Sequence, residues 1–438
     1  MHSSIITPAN ETRGDLHPEA VTAKRVGNPS RRAASGVARV GGWGASGSIV
    51  LPVESQATDS TALRIAIVSE TFAPEINGVA MTLKRLAQGL RSRGHELQLI
   101  SPQRPGRGRF VTALGATWLP VAGLPLPGYS ALRFGLPVRR RVRRLWQAAR
   151  PDVVYVATQG PLGWAAAREA RRQGIPVVSG FHTNFHVYTR HYKLSWLESA
   201  VTAYLRRFHN HTAGTLVPTA AQQTDLERLG FRNVEVLQRG VDSTLYHPKR
   251  RDSLLRAGWG VCKNELAVIY VGRIAAEKNL ELAVRAFRAI QNVCPSARFI
   301  VVGDGPLAGE LWEDNPDFIF SGAQCGLSLA QHYASGDLFL FPSLTETFGN
   351  VVLEAMASSL ALVAYNRAAA RVCVQHGENG WLAEPGDEAS FIAGAVELAT
   401  HHALRANIRR AARVCAEAWA WPQVVDNFER WLRRHTAQ

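Results

Sequence analysis

The hydrophobic pattern is irregular over about the first sixty residues and then becomes regular. Leu63-Arg-Ile-Ala-Ile-Val-Ser69 is a short apolar run with the composition of a buried parallel strand. It breaks into Glu70-Thr-Phe-Ala-Pro-Glu-Ile-Asn-Gly78, after which helical spacing takes over at residues 79–92. Gly94 caps that helix, and residues 95–100 read as the next strand. Further strands are predicted at 153–157, 177–180 and 215–217, with helices between them. Such alternation predicts a doubly wound parallel sheet.

A second alternating series begins at Leu266-Ala-Val-Ile-Tyr-Val271. It continues with a helix at 280–293, strands at 298–302 and 318–321, and a helix around 328–334. A strand at 338–341, a helix at 351–358 and a strand at 362–365 follow. The last amphipathic stretch, 424–433, is placed to pack back on the first series. The fold expected is therefore α/β: two Rossmann-like halves facing across a cleft near Gly240-Val-Asp242. The expected divisions are a disordered extension at 1–61, an N-terminal domain at 62–240, a C-terminal domain at 241–422 and a returning helix at 423–438. The extension lacks the apolar core of a signal peptide, and its acidic residues argue against an organellar transit peptide.

Composition adds constraints. Hydrophobic content of 46% and charged content of 19% over 438 residues describe a soluble globular chain of two domains. No apolar run approaches the roughly 20 residues that span a bilayer. Cys262, Cys294, Cys325, Cys373 and Cys415 are scattered without zinc spacing and are expected to be reduced and buried. The net charge of +15 implies an anionic partner: nucleic acid, anionic lipid or a phosphorylated substrate. Arg139, Arg140, Arg141, Arg143 and Arg144 concentrate that charge on a segment where Val138, Val142, Leu145 and Trp146 form one apolar face. Such a helix either packs on the core with a solvated basic side or rests on an anionic membrane. No nucleic-acid recognition motif accompanies it.

Two motifs carry chemistry. Gly272-Arg273 and Lys278 follow a buried strand and precede a helix, where backbone can approach a phosphate and two cations can hold a diphosphate. Alone, the segment also reads as a solvated loop. Glu346 and Glu354 bracket Thr-Phe-Gly-Asn-Val-Val-Leu, with Asn350 expected as the N-cap and Glu354 in the first turn. The alternatives for this pair are a loop acid and a helix-dipole partner. No D-x-D occurs, so no metal-bridged diphosphate and no cofactor is expected. A metal set of His182, His186 and His191 has poor carboxylate support.

Taken in order, Gly272-Arg273, Lys278, Gly303-Asp-Gly-Pro306, Phe341-Pro-Ser343, the Glu346/Glu354 pair and Glu378-Asn-Gly380 resemble the donor domain of retaining GT-B glycosyltransferases of family 4. Pro74-Glu-Ile-Asn-Gly78, Phe181-His182-Thr-Asn-Phe185 and Gly240-Val-Asp242 match the acceptor half and the hinge, which implies that 62–240 binds the acceptor and 241–422 the nucleotide sugar. The resemblance spans roughly residues 63 to 435 and is greatest to lipid-glycosylating members: mannosyltransferases, diacylglycerol and sulfoquinovosyl transferases. It implies that Arg273, Lys278, Gly272 and the amides of Phe348, Gly349, Asn350 and Val351 hold the diphosphate. It also implies that Gly78 lets its loop approach the donor, that His182 and Glu346 face the hexose, and that Glu354 binds the ribose. His186, Tyr188, Arg190 and His191 are placed near acceptor or donor. The chain departs from the pattern at Ser359-Leu-Ala361, where relatives read Gly-x-Pro, and at 366–371, where Gly-Gly-x-x-Glu is replaced by Asn-Arg-Ala-Ala-Ala-Arg.

The function expected is transfer of a hexose from GDP-mannose, or next UDP-glucose, to a lipid or lipid-linked acceptor. The protein would sit peripherally on the inner face of the cytoplasmic membrane. The competing readings are a sugar-nucleotide epimerase or hydrolase on the same fold and a non-catalytic nucleotide-sugar-binding module. A Rossmann oxidoreductase is disfavoured, because G-x-G-x-x-G follows neither leading strand.

Overall fold

A computed structural model describes residues 61–75, 77–126, 129–182 and 198–436. The strands of the first half are β1 (Arg64–Val68), β2 (Glu96–Pro102), β3 (Thr117–Val121), β4 (Gly123–Leu126), β5 (Tyr129–Gly135), β6 (Val153–Val156), β7 (Val177–Gly180), β8 (Thr215–Val217) and β9 (Val234–Val236). All but β4 and β5 form one parallel sheet in the order β3-β2-β1-β6-β7-β8-β9. The register is direct: Ile65 lies opposite Leu97 on one side and Val153 on the other. β4 and β5 make a separate antiparallel hairpin. The apolar pattern did not predict it, because the segment is rich in Pro and Gly rather than alternating.

The second half contains β10 (Ala267–Val271), β11 (Arg298–Val302), β12 (Ile319–Gly322), β13 (Leu338–Phe341), β14 (Ala361–Tyr365) and β15 (Trp381–Ala383). They form a second parallel sheet, β12-β11-β10-β13-β14-β15. Every residue of β10, β13 and β14 is buried, as continuous apolar runs require in a sheet covered on both faces. Buried clusters pack on either side, one around Ile269, Phe339 and Met356, the other around Val268, Phe299 and Phe391.

Asp337, just before β13, organises the lower edge of this sheet. Its carboxylate accepts from the Ala267 amide at 3.0 Å and from Arg256 Nη1 at 2.9 Å. Arg251 Nη2 lies 2.8 Å away and Arg409 Nη1 3.3 Å away. Burial alone would raise this acid, but the three guanidiniums and the amide together hold it below the usual carboxylate range.

The chain passes between the halves twice, side by side. Val241 of the Gly240-Val-Asp242 segment donates its amide to Trp419 O at 2.8 Å, next to the start of helix Trp421–Thr436. That helix returns to the first half, where Val424, Val425, Phe428, Trp431 and Leu432 are buried in the N-terminal cluster. Burying side chains of this size stabilises the arrangement by about 2 kcal/mol each.

The cysteines are reduced, but Cys262 and Cys325 are exposed and Cys373 alone is classed as buried, which corrects the expectation of buried thiols throughout. Asn350 is not an N-cap. Gly349 occupies that position with φ of 89°, in the left-handed region, and Asn350 is the first residue of helix Asn350–Ala357. Glu354 therefore sits one turn in, not in the first turn. Among the described residues no helix is long and apolar enough to cross a membrane.

Candidate active site

In an open parallel sheet, ligands bind beyond the C-terminal ends of the strands where the order reverses. In the second sheet that point lies between β10 and β13. The two sequence motifs leave those two strands: Gly272-Arg273 follows β10, and the loop carrying Glu346 follows β13. Gly303, at the end of β11, has no Cβ, and one there would collide with Gly272 O. The neighbouring loops can therefore meet backbone to backbone.

The turn after β10 tightens into a short 3₁₀ segment, Ala276–Lys278, and Asn279 adopts φ of 55° before helix Leu280–Val293. This turn projects Lys278 across the crevice, where Nζ donates to Glu346 Oε1 at 2.5 Å. Ser343 Oγ donates to the same oxygen at 2.9 Å. The loops are tied again where Thr345 Oγ1 donates to Glu277 O at 3.3 Å. Arg273 lies 3.4 Å from buried Glu277, and its carbonyl accepts from the Tyr270 hydroxyl at 3.0 Å. Lys278 thus meets Glu346 beside Gly349 at the start of helix Asn350–Ala357, while Arg273, on the same loop as Lys278, pairs with Glu277.

Glu354 has a different set of partners from Glu346. Its Oε2 accepts from the Tyr333 hydroxyl at 3.0 Å, and the Tyr246 hydroxyl also bonds the carboxyl. Burial pushes its pKa up to about 7 against these stabilising contacts. Neither tyrosine was singled out in the sequence. Tyr333 sits in a helix among apolar residues and Tyr246 in the segment after the hinge, so both look like core.

Gly78, Thr82 and Arg85 share one face of helix Gly78–Ser92, at i, i+4 and i+7. Gly78 lies against Asn350, close enough that a Cβ would be 3.8 Å from Asn350 Nδ2. Thr82 Oγ1 donates to Gly78 O at 2.8 Å, and Arg85 Nη2 donates to Asp242 Oδ2 at 2.6 Å.

His182 follows β7 and is buried, but its ring is held within the first half. Arg239 Nη2 lies 2.7 Å from Nδ1, and the Tyr155 hydroxyl lies 2.7 Å from Nε2. Because a guanidinium only donates, Nδ1 carries the lone pair and Nε2–H donates to Tyr155. Burial and the Arg239 charge hold the ring well below its ordinary pKa, so it stays neutral. Burial also lowers Arg239 to about 10. Both ring nitrogens are engaged, so an Nε2 contact with a hexose requires the ring to leave Tyr155. Arg239 immediately precedes Gly240-Val-Asp242, which was the one available signal for it. His186, Tyr188, Arg190, His191 and the extension at 1–60 lie outside the described residues. Among the described residues no group of three His, Cys, Asp or Glu is placed to hold a metal ion.

The basic segment forms helix Arg139–Ala148, with Val142 and Trp146 buried. Arg143 Nε lies 2.8 Å from Glu169 Oε1, and Arg139 3.9 Å from Glu169 Oε2. Arg140, Arg141 and Arg144 are exposed. The helix thus packs on the core through its apolar face and leaves its basic side exposed.

The departures from the family pattern both fall on positive-φ positions. Ser359 has φ of 61° and Ala368 φ of 49°, a region that favours glycine. The Ala369 amide donates to Phe348 O at 2.7 Å, so the alanine-rich loop closes on the start of helix Asn350–Ala357.

The family model for Glycosyltransferase Family 4 matches residues 76–245, and that for Glycosyl transferases group 1 matches 265–401. A GDP-mannose-dependent alpha-mannosyltransferase of Corynebacterium glutamicum is 32% identical over 82% of this chain and 84% of its own length. The chain belongs to glycosyltransferase family 4. An alpha-monoglucosyldiacylglycerol synthase of Acholeplasma laidlawii is 28% identical to this glycosyltransferase, over 73% of this chain and 84% of its own. A crystal structure of Anabaena Alr3699/HepE in complex with UDP superposes with a TM-score of 0.70 at 20% identity, covering 85% of this chain and all of that one. The two facing Rossmann-like domains of this glycosyltransferase are the GT-B arrangement.

Proposed function

We propose that this glycosyltransferase moves a hexose, mannose before glucose, from a nucleoside diphosphate to a lipid or lipid-linked acceptor with retention of anomeric configuration. The observation that carries the proposal is the Lys278–Glu346 bridge at the β10–β13 switch point, with Arg273 and the start of helix Asn350–Ala357 beside it. Those groups suit a diphosphate leaving group, whose developing charge they would neutralise. Glu354, held by Tyr246 and Tyr333, would accept hydrogen bonds from the ribose. The mannosyltransferase relative supports GDP-mannose and the diacylglycerol relative supports a lipid acceptor.

In the step proposed, the acceptor oxygen attacks the anomeric carbon from the face the diphosphate leaves. The carbon–oxygen bond to phosphate breaks as the new one forms, and the acceptor proton passes to a phosphate oxygen. The protein contributes position and leaving-group stabilisation. The test is the product's anomeric configuration by NMR after reaction with GDP-mannose or UDP-glucose and a lipid extract. An α-linked glycolipid is expected; an inverted product would overturn the front-face step.

Glu354 makes donor binding pH-dependent. Its folded pKa of about 7 exceeds the ordinary 4.5, so burial of the neutral acid stabilises the fold below about pH 4.5. That contribution is lost as pH rises through about 7. Ribose hydroxyls favour the ionised form, so nucleoside diphosphate affinity should rise about tenfold between roughly pH 6 and 8. Calorimetry on Glu354→Gln should show that rise flattened; an unchanged profile would remove Glu354 from the ribose site.

The membrane surface proposed is helix Arg139–Ala148 with the adjoining β4–β5 hairpin, where Leu124 and Phe134 are exposed. Replacing Arg140, Arg141 and Arg144 by Gln should weaken binding to anionic vesicles by about two orders of magnitude, at about 1 kcal/mol per charge. Co-sedimentation at fixed ionic strength measures it, and equal binding by wild type and variant would assign attachment elsewhere.

A further inference from the structure

Leaving the hinge, the chain reads Asp242-Ser-Thr-Leu-Tyr-His-Pro-Lys-Arg250, which sets small hydroxyls, a histidine and two adjacent cations close together. Local turns fix the segment. Asp242 Oδ1 accepts from the amides of Thr244 and Leu245 at 3.2 and 3.0 Å, and Pro248–Arg250 closes one 3₁₀ turn. His247 caps that turn, its Nδ1 accepting from the Lys249 amide at 3.0 Å. Ser243, Thr244, His247, Lys249 and Arg250 line a cavity of about 550 Å³ together with Arg413 of helix His402–Glu417. That volume is in the range of small-molecule sites.

The cavity lies away from the donor crevice. Arg413 Nη1 donates to the carbonyls of Ser243 at 3.2 Å, Tyr246 at 2.9 Å and Ala357 at 2.6 Å. Ala357 ends the helix that Asn350 begins, so these contacts lie about 10 Å along its axis from the end that faces the diphosphate. Arg413 Nε donates to Glu417 Oε1 at 2.8 Å, and Nη2 has no hydrogen-bond partner among the described residues. Lys249 and Arg250 are exposed and have no carboxylate partner among the described residues. Because His247 Nδ1 accepts, the neutral ring carries its proton on Nε2. Burial first, then the charges of Arg413 and Lys249, lower the His247 pKa, and Glu417 opposes them. Three cations thus gather at one cavity, and a cleft of one sign concentrates an anion. An adjoining cavity of about 330 Å³ shares Lys249 and Arg250 and is also lined by the exposed Leu254 and Leu327. Asp252 lines it too, but its carboxylate accepts from the amides of Leu254 and Leu255 at 2.8 and 3.1 Å.

We propose that the larger cavity binds a phosphate group, held by Lys249, Arg250, Arg413 Nη2 and His247 Nε2–H. Charge-assisted hydrogen bonds from guanidinium and ammonium groups suit its oxygens. A soluble phosphate ester and a phospholipid headgroup both present that group, and Leu254 and Leu327 would meet the chains of the second. The site is separate from the residues of the transfer reaction and does not rest on the identity of its acceptor.

The test is calorimetry on the full-length protein with glycerol 3-phosphate and, separately, monomeric dihexanoyl phosphatidate. Lys278→Ala, which disables the donor crevice, should still bind at least one of these probes. Adding Lys249→Gln and Arg250→Gln should weaken that binding by about tenfold or more, the effect of lost hydrogen bonds to a charged group. Adding Arg140→Gln and Arg141→Gln instead removes equal charge elsewhere and should leave it unchanged. Tighter binding of the phosphatidate assigns the phosphate to a lipid headgroup, and equal or weaker binding assigns it to a soluble ester; either supports the site. Binding that survives loss of Lys249 and Arg250, or that falls equally with Arg140 and Arg141, overturns it. So does binding of neither probe by wild type, or binding lost in Lys278→Ala, which would place the phosphate in the donor crevice.

Discussion

Lys278→Ala and Glu346→Ala should each lower hexose transfer by about two to three orders of magnitude, the usual effect of removing one well-placed charge stabiliser. The two side chains form one unit across the crevice, 2.5 Å apart. Without Lys278, the Glu346 carboxylate faces the diphosphate with Ser343 as its hydrogen-bond donor, which opposes phosphate binding. Without Glu346, Lys278 loses the contact that fixes its reach from the turn after β10. The double variant should therefore lose no more than about the larger single loss, because residues acting as a unit are not additive. Nucleoside diphosphate release gives the rates, and circular dichroism checks that the fold survives. Near wild-type turnover in either single variant would remove the pair from the site.

Asp337→Ala should destabilise the C-terminal domain by about 3–5 kcal/mol, the cost of breaking a buried ion network by removing one partner. Asp337 joins Arg251, Arg256 and Arg409 to the Ala267 amide, so its loss leaves the buried Arg256 and the two more accessible guanidiniums gathered without their anion. Asp337→Asn keeps the amide contact and should fall between. Urea unfolding followed by intrinsic fluorescence measures the difference. A loss below about 1 kcal/mol would mean that the arginines find other partners.

The C-terminal strands were legible in the sequence for a physical reason. Strands buried on both faces are continuous apolar runs, and 298–302 and 338–341 coincide with the observed β11 and β13. The crevice was legible because its chemistry is local: Gly272, Arg273, Lys278 and Glu346 all lie in loops leaving the two switch-point strands. What depended on distant partners was not. His182 read as a cleft residue, but its orientation is set by Arg239, 57 positions away, and by Tyr155 inside a buried strand. Asn350 read as an N-cap by residue type, whereas the left-handed turn falls on Gly349. Asp337 was not singled out, since nothing local announces that Arg251, Arg256 and the distant Arg409 converge on it.

Purified full-length protein, a labelled nucleotide sugar and a lipid extract, followed by partition of label between aqueous and organic phases, address the enzyme's activity at once. Label from GDP-mannose, or next from UDP-glucose, should appear in the lipid phase with matching release of nucleoside diphosphate, and Glu346→Ala should abolish both. Consumption of the sugar nucleotide without lipid-linked hexose would show a hydrolase or epimerase. Tight donor binding with no consumption, across a panel of nucleotide sugars, would contradict a catalytic role for this site.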